Sequence, residues 1–266
     1  MIKSIVKKIV NASGYKISRL GNVNRFVPFV KNVTVAGMDM SFWIDSEGAQ
    51  YWYSEENFSL EIGQLQKIIK PGDKILDVGC NIGVLSAIMS KLTGSEGKVV
   101  AMDVFPDNCL TTCAQLGLNK ITNCEVINIG ASDKEQDVTI ADTTNSGVLV
   151  SNGKSEVLTV KAIPIDDLLK KYGKFDLLKI DVEGYETSVL KGAKELLKSR
   201  PKIALELHGP HLKQYNTSVE ELFDIMQIEN YKGYILHKYS NKFEVFDPVQ
   251  AIKVPPLANL FLIPNG

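Results

Sequence analysis

The chain has 266 residues, of which 44% are hydrophobic and 23% charged, with 30 Lys and Arg against 31 Asp and Glu. This composition excludes intrinsic disorder, collagen-like repetition and a disulfide scaffold, and the length suffices for one sizeable core. The net charge of −1 hides a basic leader, since residues 1–38 hold seven cations and no acid while the rest carries −8; without an overall excess of cations, no nucleic-acid partner is expected.

Ile2, Ile5, Val6, Ile9 and Val10 recur at helical spacing opposite Lys3, Lys7 and Lys8, which predicts a short basic amphipathic helix over residues 2–11. Such a helix packs on its own domain or makes weak peripheral contact with an anionic membrane. Short strands are expected around Val33–Val35 and Phe42–Ile44, followed by an aromatic cluster at Tyr51, Trp52, Tyr53 and Phe58. Residues 1–61 thus read as an extension and a candidate lid over the acceptor side.

From residue 62 the pattern alternates between helical and apolar extended segments. Ile62, Leu65, Ile68 and Ile69 predict a helix that Pro71-Gly72 stops. Strands are expected at Lys74–Val78, Lys98–Met102, Glu125–Ile129, Phe175–Asp181, Lys202–Leu207, Tyr231–Leu236 and Leu257–Ile263. Helices fit at Leu85–Leu92, Asp107–Leu116, Ile165–Tyr172, Tyr185–Lys198 and Val219–Glu229, with extended pieces at Val138–Ala141 and Leu158–Ala162. The fold class is therefore α/β, doubly wound around a mostly parallel, seven-stranded Rossmann-like sheet spanning residues 62–266. No apolar run reaches the ~20 residues of a membrane span. Cys80, Cys109, Cys113 and Cys124 form no Cys-x-x-Cys pair, so a reducing, cytoplasmic setting is expected, and no oligomeric state is implied.

Asp77-Val78-Gly79-Cys80-Asn81-Ile82-Gly83 follows an apolar strand and opens an apolar helix. Gly79 permits a tight turn with close ligand approach, and Gly83 lets the helix pack on the strand. The loop lacks the middle glycine of Gly-x-Gly-x-x-Gly, which disfavours a pyrophosphate. Asp77 at the strand end suits a locally cationic ligand. Asp103 ends the second strand near the ~20-residue spacing at which an acid accepts hydrogen bonds from ribose hydroxyls. A nucleoside bearing an amino acid and a sulfonium, S-adenosylmethionine, satisfies these demands together.

Asp77–Gly83, Ala101–Pro106 and Lys179-Ile180-Asp181-Val182-Glu183-Gly184-Tyr185-Glu186 resemble the FkbM-type methyltransferases of the class I S-adenosylmethionine-dependent fold, the likeness running from about Asn57 to the end. The resemblance implies that Asp77, Gly79, Asn81 and Gly83 wrap the methionine part of the cofactor. It further implies that Asp103 holds the ribose, that Ser132 and Asp133 lie beside adenine, and that Glu61 reaches toward the cofactor amine. Asp103-Val104 stands where the family more often has Glu-Pro, and Cys80 where it often has a small residue.

Lys179, Asp181 and Glu183 alternate in an otherwise apolar run, placing them on one face if the strand continues. Buried charges must pair or face a polar cleft. Glu206 and His208 repeat the arrangement in the next strand, which the usual sheet order sets beside the first. Asp181, Glu206 and His208 are the candidate bases, with Lys179 as an electrostatic partner, for O-methylation of a small-molecule or glycan hydroxyl, the acceptor class that the resemblance favours. Glu206-x-His208-x-x-His211 offers polar ligands for zinc, but no cysteine or third histidine stands at a metal spacing, and no metal is expected. A nicotinamide-dependent oxidoreductase shares the fold and the ribose acid, and a non-catalytic module retaining the cofactor fold is the third reading.

Overall fold

The computed structural model describes residues 26–52, 55–141, 157–237, 242–246 and 257–265. The expected helix at residues 2–11 and Tyr53 of the aromatic cluster lie outside these. Thirteen strands and nine α-helices occur among the described residues. Strands β1 (Phe29–Val35) and β2 (Met38–Ile44) form an antiparallel hairpin. Its turn is Ala36-Gly37, both at positive φ, the backbone that matches the twist of paired strands in a two-residue loop.

Two short helices follow, α1 (Glu47–Trp52) and α2 (Glu55–Ile68). The 61/62 division between extension and core falls within α2. Then come β3 (Lys74–Val78), α3 (Val84–Thr93), β4 (Lys98–Asp103), α4 (Pro106–Leu118), β5 (Cys124–Asn128), β6 (Gly130–Ala131), β7 (Gln136–Ala141), β8 (Val157–Ile163) and α5 (Ile165–Tyr172). The chain continues through β9 (Leu177–Ile180), α6 (Glu186–Lys191), α7 (Lys194–Lys198), β10 (Lys202–His208), α8 (Gly209–Leu212), α9 (Val219–Met226), β11 (Tyr231–His237), β12 (Lys242–Phe246) and β13 (Leu257–Pro264).

The main sheet has the order β12-β11-β13-β10-β9-β3-β4-β5. Five neighbouring strands run parallel, from β10 through β9, β3 and β4 to β5, whereas β13 inserts antiparallel between β10 and β11. The expected seven strands are present, and β12 adds an eighth at the edge. A second sheet of order β6-β8-β7 stands beyond the end of β5. The inner strands read as near-continuous apolar runs because helices cover both faces; Ile75, Leu76, Val99, Val100, Leu177, Leu178, Ile203 and Leu205 are all buried.

Two predicted helices end early. The expected Tyr185–Lys198 helix breaks at Gly192-Ala193, because Gly192 presses its backbone against Ser132: a Cβ there would meet the Ser132 carbonyl oxygen at 2.0 Å. The Gly192 carbonyl in turn accepts the Asp166 N–H. The expected Val219–Glu229 helix stops at Met226, where Gln227 turns left-handed with φ +51° and a 3-10 turn follows.

The hairpin is fastened to the core by side-chain amides acting as a substitute strand. Gln115 accepts from the Trp43 N–H and donates to the Trp43 carbonyl, and Asn119 treats Ser41 in the same way. Gln115 is fully buried, so Gln115→Ala leaves two main-chain groups of β2 without partners. A loss of about 1–3 kcal/mol in urea-denaturation stability is expected.

Candidate functional site

The parallel strands end on one side of the sheet, where ligands of open α/β folds bind. There the chain leaves β3 through Gly79, φ +78°, and turns twice more at positive φ, at Asn81 and Gly83. The loop is fixed by its own backbone. Gly79 and Cys80 donate to the Met102 carbonyl, Asn81 donates to the Asp103 carboxylate at 2.8 Å, and Thr112 donates to the Asn81 carbonyl. At Gly79 a Cβ would lie 1.9 Å from the Asp181 carbonyl oxygen, so only glycine allows the β3 and β9 loops to touch. Burial pushes the Cys80 thiol well above its ordinary pKa, which leaves it unreactive at neutral pH.

A cleft opens over this loop, bounded by Gly79, Asn81 and Asp103 on one side and by Asp181, Val182 and Glu183 on another. Asp103, at the end of β4, accepts from the N–H groups of Asn81 and Phe105 and from the Asn108 amide. Those three bonds leave capacity for a further donor from the cleft. Burial nonetheless raises its pKa. Beyond Asp103 the wall turns apolar, with Ile129, Gly130, Ala131, Val138, Ile140 and Ala162.

Ser132 and Asp133 are not part of that wall. Ser132 is fully buried, bonded to Tyr185 Oη at 3.1 Å and to Gln136, while exposed Asp133 accepts from Ser132 Oγ at 3.1 Å. The residues just before them, together with the small second sheet, form the flat apolar surface instead. Tyr185 and Tyr215 border the cleft in an edge-to-face pair, centroids 5.2 Å apart. Sequence reasoning singled out neither: Tyr185 lies within the Lys179–Glu186 motif but was given no role, and Tyr215 sits in no motif.

Asp77 also stands behind the cleft. It is fully buried, accepts from Ser86 Oγ and pairs with Lys179 Nζ at 3.1 Å. Lys179 reaches the Gly79 carbonyl at 3.0 Å and the Asp181 carboxylate at 3.7 Å. Burial alone would discharge this ammonium, but the charges of Asp77, Asp181 and Glu61 outweigh it and hold the pKa far above the ordinary value. Lys179 therefore ties together the β3 loop, the β9 loop and Glu61 of α2.

The expectation that residues 179, 181 and 183 share a strand face is corrected. β9 ends at Ile180, and Glu183 and Gly184 form a left-handed turn with φ +53° and +106°. That turn aims Glu183 at the end of β10, which lies beside β9 as expected. His208 there is buried, with Nε2 3.1 Å from Glu206 and 3.3 Å from Glu183, and Nδ1 2.8 Å from Glu186. Its ring stacks on His211. Burial opposes protonation, but hydrogen bonds to Glu186 and Glu206, with the charges of Glu206 and Asp181, raise the His208 pKa to about 11. An imidazolium has no lone pair, so these surroundings disfavour His208 as the base among the three candidates. Glu186, which holds it, was not singled out from the sequence.

Residues 77–236, more than half of the chain, match the methyltransferase FkbM domain. The chain belongs to the FkbM methyltransferase family. Its cofactor is S-adenosylmethionine, and its sheet and flanking helices are the Rossmann-like fold of class I methyltransferases. The cleft fits that ligand, with a carboxylate at the β4 end, an apolar wall beyond it and a glycine that admits close approach. Family membership with this cofactor removes the nicotinamide reading. Curated relatives include ribosomal RNA large subunit methyltransferase E of Neisseria gonorrhoeae, 47% identical over 47 residues, which are 18% of this chain and 23% of that protein. The Acinetobacter baumannii protein of the same name is 45% identical over 51 residues, 19% of this chain and 24% of that one. The FkbM chain thus matches about a quarter of the length of these relatives. Similar solved structures include an rRNA methylase from Streptococcus thermophilus, TM-score 0.47 and 13% identity, covering 79% of this chain and 96% of that one. Another is Aeropyrum pernix fibrillarin with bound S-adenosyl-L-methionine, TM-score 0.44 and 14% identity, covering 74% and 68%. The relatives' ribosomal RNA names overturn the expectation that nucleic acid is excluded as a partner. Whole-chain net charge averages over any local cationic surface, so it does not exclude such a partner. Among the described residues no helix is long and apolar enough to cross a membrane.

Proposed function

We propose that this FkbM methyltransferase methylates a hydroxyl oxygen, with a saccharide, free or lipid-linked, as the acceptor class. The observation that carries the reading is the carboxylate of Asp181 on the cleft wall, with Glu206 behind it on the adjacent strand. A hydroxyl needs to lose a proton as its oxygen is alkylated, and a carboxylate at that place takes it up. Bound S-adenosylmethionine supplies a methyl group made electrophilic by a sulfonium. Asp103 would hold the ribose, Gly79, Asn81 and Gly83 would shape the methionine end, and the apolar wall of Ile129–Ala131 would carry the adenine. Asp77 and Lys179 act from behind, by fixing the Gly79 carbonyl. Tyr185 and Tyr215 offer ring faces beside hydroxyl groups, surfaces on which the C–H face of a sugar packs.

Labelled-methyl transfer from S-adenosylmethionine to saccharide, lipid-linked glycan and RNA acceptors tests this. Label in a saccharide ether is expected, and label confined to RNA would overturn the acceptor assignment. Asp181→Asn should lower kcat by about 10²–10⁴-fold while leaving the affinity for S-adenosylhomocysteine within a few-fold. Asp103→Ala should remove the rise in Tm that S-adenosylhomocysteine gives the wild type, as expected if the ribose contact is lost.

A further inference from the structure

We infer that Asp181, Glu206 and His208 form a divalent-cation site of the Mn²⁺ or Mg²⁺ type beside the acceptor position. One ligand atom from each, two carboxylate oxygens and an imidazole nitrogen, lies within 4.8 Å of the others. Donors on opposite sides of one ion at bond lengths of about 2.0–2.2 Å stand up to ~4.4 Å apart, close to this limit.

The second shell is already built. Glu186 is fully buried, accepts from the Gly184 N–H at 3.0 Å and lies 2.8 Å from His208 Nδ1. A carboxylate on one ring nitrogen fixes the tautomer and turns the other nitrogen outward, the arrangement found behind metal-bound histidines. Here the outward nitrogen is Nε2, and it faces the carboxylates of Glu206 and Glu183. The stacked ring of His211 further blocks rotation of the imidazole.

Charge points the same way. Asp181, Glu183, Glu186 and Glu206 gather around His208, with Lys179 shared between Asp77 and Asp181 and His211 Nδ1 3.6 Å from Glu183. These carboxylates, one of them fully buried, outnumber the cations beside them and gain from added positive charge. A divalent ion provides it, displacing the Nε2 proton to solvent on binding. The donor set of two carboxylates and one imidazole suits a hard or borderline ion that keeps open positions for water or substrate.

The catalytic consequence rests on the hydroxyl-acceptor reading above. Asp181 and Glu183 reach the cleft wall, so an ion held there can coordinate the acceptor oxygen, lower its pKa and fix its position. The earlier expectation of no metal came from seeking a third histidine or cysteine. Glu206 stands two residues before His208 on β10, but Asp181 arrives from the end of β9 and carries no spacing signal.

Mn²⁺ titration of the full chain, followed by loss of the free-ion electron paramagnetic resonance signal, reads binding without any acceptor. One tightly bound ion per chain is expected, persisting when S-adenosylhomocysteine is present. Glu206→Gln should weaken it by at least 10-fold and His208→Asn by more, whereas Asp133→Asn, on the exposed loop, should not change it. Circular dichroism and the S-adenosylhomocysteine thermal shift check that each variant is folded, and should buried His208→Asn fail there, Glu206→Gln alone decides. Absence of binding, or equal binding in a folded Glu206→Gln protein, would overturn the site. A site that binds Mn²⁺ in a protein that methylates no hydroxyl would sink the acceptor reading and leave the ion site standing.

Discussion

Gly79→Ala is expected to weaken S-adenosylhomocysteine binding by about 100-fold or more, equivalent to ~2.7 kcal/mol, and to lower Tm by roughly 6–12 °C. The methyl group would be built 1.9 Å from the Asp181 carbonyl oxygen and 2.9 Å from its carbon, both backbone atoms that cannot swing aside. The residue also stands at φ +78°, where a Cβ adds about 1–2 kcal/mol of strain. Strain and overlap together come to ~3 kcal/mol, and a domain of this size shifts by about 2–4 °C for each kcal/mol. Relief requires the β3 and β9 loops to part, which moves the cleft floor and the Asp181 carboxylate at once. Differential scanning fluorimetry with and without S-adenosylhomocysteine measures both effects; a wild-type ligand response in the variant would show that this contact does not shape the binding surface.

Lys179→Met should cost about 3–5 kcal/mol, the usual result of leaving one member of a buried ion pair alone. Asp77 is fully enclosed, with Lys179 Nζ at 3.1 Å as its cationic neighbour. Methionine fills much of the lysine volume, so the loss reflects charge more than a void. Adding Asp77→Asn removes the stranded carboxylate and should recover more than half of the stability, a coupling that a double-mutant cycle in urea resolves. Simple additivity of the two substitutions would show that the pair is not the source of the effect. Cofactor binding should stay impaired in the double variant, since the ammonium that holds the Gly79 carbonyl is still missing.

The parts of this molecule that were legible in its sequence are those decided by local physics. β3 and α5 fall where apolar periodicity and the adjoining Pro and Gly residues placed them, because one strand or one amphipathic turn carries its own signal. The glycine loop and the acid ending β4 were readable for the same reason. Long-range contacts were not. The break at Gly192 exists because Ser132, sixty residues earlier, occupies the space a continuous helix would need. Gln115 and Asn119 read as ordinary helix residues until the hairpin arrives to use their amides. The strand β12 is polar and short, with buried Phe246 at its end, so its alternation is faint. The raised pKa of His208 depends on Glu186, which the turn after β9 delivers from another part of the chain, as well as on Glu206 and Asp181. Alternation in the Lys179–Glu183 run suggested a shared face, but strand geometry ended at Ile180, three residues too soon.

The place of β13 bears on how the molecule is made. It is the last described strand in the chain, yet it lies between β10 and β11 and pairs with both. A ribosome therefore delivers it after its two neighbours, which must wait with unsatisfied edges and apolar faces uncovered. The topology builds a vulnerable interval into every round of synthesis, and this interior gap closes only when residues 257–264 emerge and slot into it.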